Sequence, residues 1–128
     1  MSYYFSRTLD LDFDTTVAAT REALSEEGFG VITEIDVRKT LKTKIDVEFR
    51  PYLILGACNP RMAYEALQIE DKVGALLPCN VVVQEISAGR TEVAAIDPVA
   101  SMLVVGNPAL DEKAREVGEK LLKALQRL

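Results

Sequence analysis

Apolar and polar residues first follow the pattern of a β-strand and then change to the spacing of a helix. Residues Ser2–Leu9 are rich in aromatic and β-branched side chains, which predicts a first strand. Asp12 or Asp14 can cap the helix that follows, which extends to about Glu27. Gly28 is suited to end this helix.

The middle of the chain continues this order with two more strands and two more helices. Val31–Ile35 is typical of a strand, and a short helix through Thr40 and Leu41 follows it. A third strand is predicted from about Pro51 to Ala57. The next helix begins at Asn59–Pro60, because asparagine is a favoured N-cap and proline is favoured at the first helical position.

The last third of the chain predicts a hairpin and a long helix. Residues Asn80–Ile86 and Thr91–Ile96 alternate as strands around Ser87–Arg90, which has the composition of a hairpin turn. Asp97–Pro98 and Asn107–Pro108 repeat the pairing of an N-cap residue with proline. The second pair begins an amphipathic helix that runs to the C-terminus.

This order of elements predicts an α+β fold for residues 1–128 as a single domain. We expect a two-layer sandwich in which two long helices cover one face of a mostly antiparallel sheet of about five strands. Sequential strands usually lie side by side, so the last four strands are expected to form a meander. A right-handed crossover through the helix at Asn59, which would make the third and fourth strands parallel, is the main alternative.

Composition narrows the classes of function. The net charge of −5 argues against binding to a nucleic-acid backbone, which requires clustered Lys and Arg. The basic residues Arg38, Lys39, Lys42 and Lys44 suit the solvated face of a short helix. No apolar run approaches the roughly 20 residues of a membrane span, and the N-terminus lacks the pattern of a secretory signal. We therefore expect a cytoplasmic protein without a membrane partner.

The chain has no histidine and only two cysteines. Histidine is the usual general base and the commonest transition-metal ligand, so its absence excludes the familiar catalytic triads. Cys58 and Cys79 form neither a C-x-x-C pair nor a zinc pattern, and no metal site is predicted from them alone. Thiols in the cytoplasm are expected to be reduced.

Two Cys-Asn pairs stand at strand junctions, and they are the candidate functional site. In the meander, the third strand ends and the fourth begins at the same end of the sheet. The fifth strand also ends there. We therefore expect one rim of the sheet to carry a ligand site made of Cys58, Asn59, Cys79, Asn80 and Asp97, with the main pocket opening beside it.

The position of Cys58 favours a reactive thiol. It directly precedes a helix start, where backbone N–H groups and the helix dipole stabilise a thiolate. The alternative is that both cysteines pack as small apolar residues. In that case Asn59 and Asp97 act only as helix caps, and Asn80 serves a turn.

Several segments together resemble the domain of unknown function 302 family. The resemblance extends over nearly the whole chain, and its signature is carried by Arg50–Tyr52, Ile54–Pro60, Gly74–Val83 and Asp97–Pro98. It implies a two-layer α/β fold similar to the TATA-binding-protein-like class, and a homodimer. It implies no activity, since the family is named for lacking one.

The residues support three hypotheses about function, and none identifies a reaction or a cofactor. The first is a protein that binds a small molecule or metabolite at the cysteine rim, with thiol chemistry. The second is a non-catalytic dimeric domain whose Cys-Asn pairs only build the core. The third is the handling of a soft metal such as Cu(I) or zinc by thiolates, although two thiols without histidine leave a tetrahedral zinc site incomplete.

Overall fold

Strands and helices alternate along the chain in this computed structural model, which describes residues 2–128. Met1, with which the predicted domain begins, lies outside the described residues. The strands are β1 (Tyr4–Leu9), β2 (Gly30–Asp36), β3 (Tyr52–Cys58), β4 (Cys79–Ser87) and β5 (Arg90–Ile96). The helices are α1 (Phe13–Glu26), α2 (Val37–Ile45), α3 (Pro60–Ile69), α4 (Pro98–Met102) and α5 (Pro108–Gln126). Two 3-10 segments cover Asp71–Leu76 and Leu103–Val105.

The five strands form one sheet in the order β1-β5-β4-β3-β2, and every neighbouring pair is antiparallel. The predicted meander of the last four strands is therefore confirmed, and the alternative with parallel β3 and β4 is wrong. The first strand completes the sheet by pairing with the last. Because α3 leaves and returns at the same end of the sheet, no crossover is needed.

One face of the sheet carries the main core. Leu55, Val81 and Val93 on the three central strands are fully buried, and they belong to one cluster with Leu24 of α1 and Leu121 of α5. The two long helices therefore lie on the same face, as predicted. Alternation along the strands puts the intervening residues on the opposite face, which no long helix covers.

Side-chain caps define where the helices begin. Asp12 caps α1, and the hydrogen bonds it accepts lower the pKa of its carboxyl group. Asn59, Asp97 and Asn107 cap α3, α4 and α5, each followed by a proline in the first turn. The predicted order lacked α4 and both 3-10 segments, because elements of three to six residues are too short to repeat the apolar spacing of a helix. Over residues 2–128, no helix is long and apolar enough to span a membrane.

Candidate ligand pocket at the cysteine end of the sheet

The strand register brings four strand ends together. Gly30 at the start of β2 pairs with Cys58 at the end of β3, and Cys79 at the start of β4 pairs with Ala57. The fifth strand ends beside them at Ile96. The junctions that carry the two Cys-Asn pairs therefore lie together at one end of the sheet, as the meander predicted.

A pocket of about 230 Å³ opens at this end. Its walls come from the ends of β3 and β4, from α3, and from the facing side of α5, with Phe29 on the side of β2. Most wall residues are apolar, and many are small, such as Ala63 and Ala114. Cys58, Asn59 and Cys79 line the pocket as well, so three of the five predicted site residues meet there.

Cys79 lies on the helix-covered face of the sheet. It is buried, and its register partner Ala57 belongs to the same core cluster. Burial, with a smaller contribution from the neighbouring Cys58, raises the pKa of the Cys79 thiol to about 11. Cys79 is therefore a neutral thiol at physiological pH.

Cys58 is half-buried and forms the last residue of β3. Successive strand residues point to opposite faces, so Cys58 leaves the sheet on the face opposite to Ala57 and its partner Cys79. Neighbouring strands bring the two backbones close, but the side-chain directions diverge, which disfavours a disulfide. Both cysteines are free thiols.

Asn59 connects the pocket to the start of α3. Its Oδ1 accepts a hydrogen bond of 3.2 Å from the backbone N–H of Met62, which is the N-cap bond. Its Nδ2 lies 3.1 Å from the place where a Cβ on Gly28 would stand, and Gly28 has a φ of +85°. A residue other than glycine at position 28 would therefore strain the backbone, and its Cβ would lie close to the amide of Asn59.

Asn80 and Asp97 lie outside the pocket wall. Asn80 is exposed on the open face of the sheet, in a separate shallow depression with Tyr52 and Val82. Asp97 caps α4, because its Oδ1 accepts a hydrogen bond of 3.0 Å from the N–H of Val99. Both residues belong to the predicted end of the sheet, but neither lines its pocket.

Lys113 of α5 is the one charged residue among those that line the pocket, and its position was not predicted from the sequence. Its Nζ lies 2.8 Å from Oε2 of Glu65, which joins α5 to α3. The hydrogen bond with Glu65 and the nearby Glu112 and Glu116 raise the pKa of the Lys113 ammonium group. The cation at the pocket is therefore already neutralised by carboxylates.

The sequence reasoning also missed Met62 and Met102, which line the same pocket from α3 and α4. Neither residue was singled out from the sequence, since nothing in local spacing connects residues 62 and 102. Within residues 2–128 there is no group of three or more His, Cys, Asp or Glu residues able to hold a metal ion.

Comparison with known proteins gives a family and a fold. No curated protein matches this chain in sequence. The crystal structure of an uncharacterized conserved DUF302 protein from Bacillus stearothermophilus is similar over 99% of this chain and 98% of that chain, with a TM-score of 0.91 and 29% sequence identity. The family model described as "Domain of unknown function DUF302" matches residues 5–128. The chain is thus a member of the DUF302 family.

Proposed function

We propose that this protein binds a small, mainly apolar molecule in the pocket at the cysteine end of the sheet. The observation that carries the proposal is the pocket itself, a concave space of about 230 Å³ with almost entirely apolar walls. Ligand sites in proteins are typically concave and mainly apolar with a few polar groups, and the space at the meeting point of α3, α5 and two strand ends has this character.

The size of the pocket limits the ligand. An enclosed apolar cavity of about 150 Å³ in another protein accommodates benzene. The present pocket is somewhat larger and partly open, so it suits a single ring or a short branched chain. The cap of α3 uses only the amide oxygen of Asn59. Its amide nitrogen is the group that would donate a hydrogen bond to a polar atom of the ligand.

An NMR titration tests this proposal: benzene or cyclohexane is added to the isotope-labelled protein, and the amide chemical shifts are measured at each concentration. We expect saturable shifts confined to residues around the pocket. Ala63→Leu places three more carbon atoms in the pocket wall and should abolish them. Ala18→Leu, the same change at an exposed position of α1, is the matched control and should bind as the unmodified protein does. Saturable binding that persists in Ala63→Leu would disprove the proposed site.

Cys58 is proposed to be the reactive thiol of this pocket. It is half-buried, whereas Cys79 is buried and has a pKa of about 11. The thiolate is the nucleophile, so Cys79 is expected to be inert at pH 8. Iodoacetamide should therefore label one site, which Cys58→Ser removes and Cys79→Ser retains. Equal labelling of both cysteines, or of neither, would contradict this assignment.

The open face of the sheet supports self-association as a second proposal. The chain exposes 7476 Å², whereas a compact monomer of 14.1 kDa exposes about 6,700 Å². The chain therefore exposes more surface than an average monomer of its mass, which supports a face that a partner covers. Tyr3, Tyr4 and Ile35 are exposed and lie on or beside the face that no long helix covers. If no small molecule binds, a dimeric structural domain and the handling of a soft metal are the remaining hypotheses.

The proposed setting is the cytoplasm, where both thiols stay reduced and available. The net charge of −5 makes a neutral small molecule a better partner than nucleic acid. Association with DNA or RNA that weakens steeply with salt would contradict this part of the proposal.

A further inference from the structure

Sulfur is concentrated at the pocket. Residues 2–128 contain four sulfur-bearing side chains, and all four line this one space: Cys58, Met62, Cys79 and Met102. Sulfur thus supplies four of the sixteen lining residues but only four of the 127 described residues. If the sixteen lining residues were drawn at random from the described chain, fewer than one of them would contain sulfur. The enrichment therefore suggests a chemical role for sulfur at the pocket.

We propose that the ligand of this pocket is a neutral aromatic ring, recognised by the four sulfur side chains. This inference rests on the proposed function and names the class of ligand. Sulfur is polarizable and makes favourable contacts with aromatic rings at about 5 Å from the ring centre, often at the ring edge. Phe29, buried in the wall beside β2, adds an aromatic surface against which a second ring can pack edge to face.

A soft metal ion is the competing occupant of a sulfur-rich site, and the register of the strands disfavours it. Ligand sulfurs must all lie about 2.3 Å from a bound zinc ion, so no two of them can be more than about 4.6 Å apart. Both cysteines line the pocket, but strand alternation directs their side chains to opposite faces of the sheet, so their sulfurs diverge. A ring contacts each sulfur separately, so it does not require the sulfurs to converge.

The charge around the pocket favours a ring without an acidic group. Lys113 is the charged lining residue, and Glu65 already forms an ion pair with it at 2.8 Å. Glu112 and Glu116 lie near the same ammonium group. A carboxylate or phosphate on the ligand would have to displace Glu65 and approach two further carboxylates, which is unfavourable. A neutral ring carrying at most a hydrogen-bonding group meets no such cost.

The test compares benzene with cyclohexane, two rings of similar size, by chemical-shift titration of the folded protein. The measured quantity is the ratio of the cyclohexane Kd to the benzene Kd. Taking this ratio for each variant and dividing by that of the unmodified protein removes the difference in hydrophobicity between the two probes. Met62→Leu and Met102→Leu remove sulfur while nearly conserving volume, so the fold should tolerate them. Leu77→Met adds a sulfur to the same wall.

Each Met→Leu change is expected to lower the ratio by about 2- to 12-fold, which corresponds to the loss of one sulfur–aromatic contact. Leu77→Met is expected to raise it. If the ratio stays within twofold in all three variants while both probes bind, the aromatic inference is wrong and the proposed function stands. If neither probe binds, the proposed function itself fails. Stoichiometric binding of Cu(I) that Met62→Leu abolishes would show that the sulfurs meet at one point and would overturn the ring in favour of a metal.

Discussion

Replacement of Gly56 in the sheet should disturb the pocket directly, because a side chain there would press on a residue of the pocket wall. Gly56 is buried in β3, between Thr33 of β2 and Asn80 of β4. A Cβ at this position would overlap Oγ1 of Thr33 and would stand 2.7 Å from Cγ of Pro78. The hydroxyl of Thr33 can rotate away, but the Cβ of that residue would still lie 3.3 Å distant. The proline ring has no such freedom.

Gly56→Ala is therefore expected to destabilise the protein by about 1–3 kcal/mol, the usual cost of overpacking a core. For a chain of 128 residues, an unfolding entropy of about 2.1 cal/mol/K per residue makes 1 kcal/mol equal to about 4 °C. The expected fall in melting temperature is thus about 4–11 °C, measured by calorimetry or circular dichroism. Because Pro78 directly precedes Cys79 and lines the pocket, its displacement should also weaken benzene binding.

Gly30→Ala is the matched control, since nothing lies within 4 Å of a Cβ at that position. Its stability should change by less than about 0.5 kcal/mol. The double variant Gly56→Ala/Thr33→Ala removes one of the two obstacles and should recover part of the loss, with a coupling energy of at least about 0.5 kcal/mol. If Gly56→Ala proves as stable as Gly30→Ala, the close approach of Pro78 and Thr33 does not constrain this position.

Three further predictions follow from burial and exposure. Below pH 9 the Cys79 thiol is protonated in the folded and the unfolded chain, but between pH 9 and about 11 only the unfolded chain ionises. The free energy of unfolding should therefore fall over that range by up to about 2–3 kcal/mol, and urea titrations of Cys79→Ala should lack this fall. Light scattering should give a mass near twice 14.1 kDa, which Ile35→Lys lowers to the protomer mass and Leu122→Lys, on the outer side of α5, does not. Gly118→Ala should raise the stability by about 0.5–1 kcal/mol, because a Cβ there meets only Pro98 and Asp97 at 3.5 Å or more in the middle of a helix; a lower melting temperature would contradict this.

The fold was predictable because several local signals agree with the global arrangement. Aromatic, β-branched and alternating apolar residues identified the five strands, and the two Asn–Pro pairs marked helix starts that the structure confirms for α3 and α5. The Asp97–Pro98 pair was noted as the same device, but no helix was predicted from it, and it begins α4. The meander followed from the tendency of sequential strands to pair. The pairing of β1 with β5 involves strands about 80 residues apart, and no local pattern could show it.

The position of the candidate pocket was predictable only where topology determines it. Because β3 and β4 are antiparallel neighbours, Cys58 and Cys79 must lie at the same end of the sheet, and the sequence contained that information. The face of the sheet to which each cysteine points depends on the exact register, in which Cys79 pairs with Ala57 and not with Cys58. A shift of one residue would move every side chain of a strand to the opposite face, and the sequence does not determine the register to that precision. Met102 and Lys113 reach the pocket through the packing of α4 and α5, which no spacing in the sequence encodes.

The pocket exists because small side chains stand where three elements meet the end of the sheet. Ala57 on β3, Ala63 and Ala66 on α3, and Ala114 on α5 all line the same space. At the centre of the sheet the corresponding contacts use large residues such as Leu55, which is completely buried and leaves no such space. Side chains with only one methyl group at four converging positions leave a concave apolar surface at this end of the sheet. A ligand that is apolar, ring-sized and polarizable would restore the missing contacts, since sulfur and alanine methyl groups supply the surface that such a molecule needs.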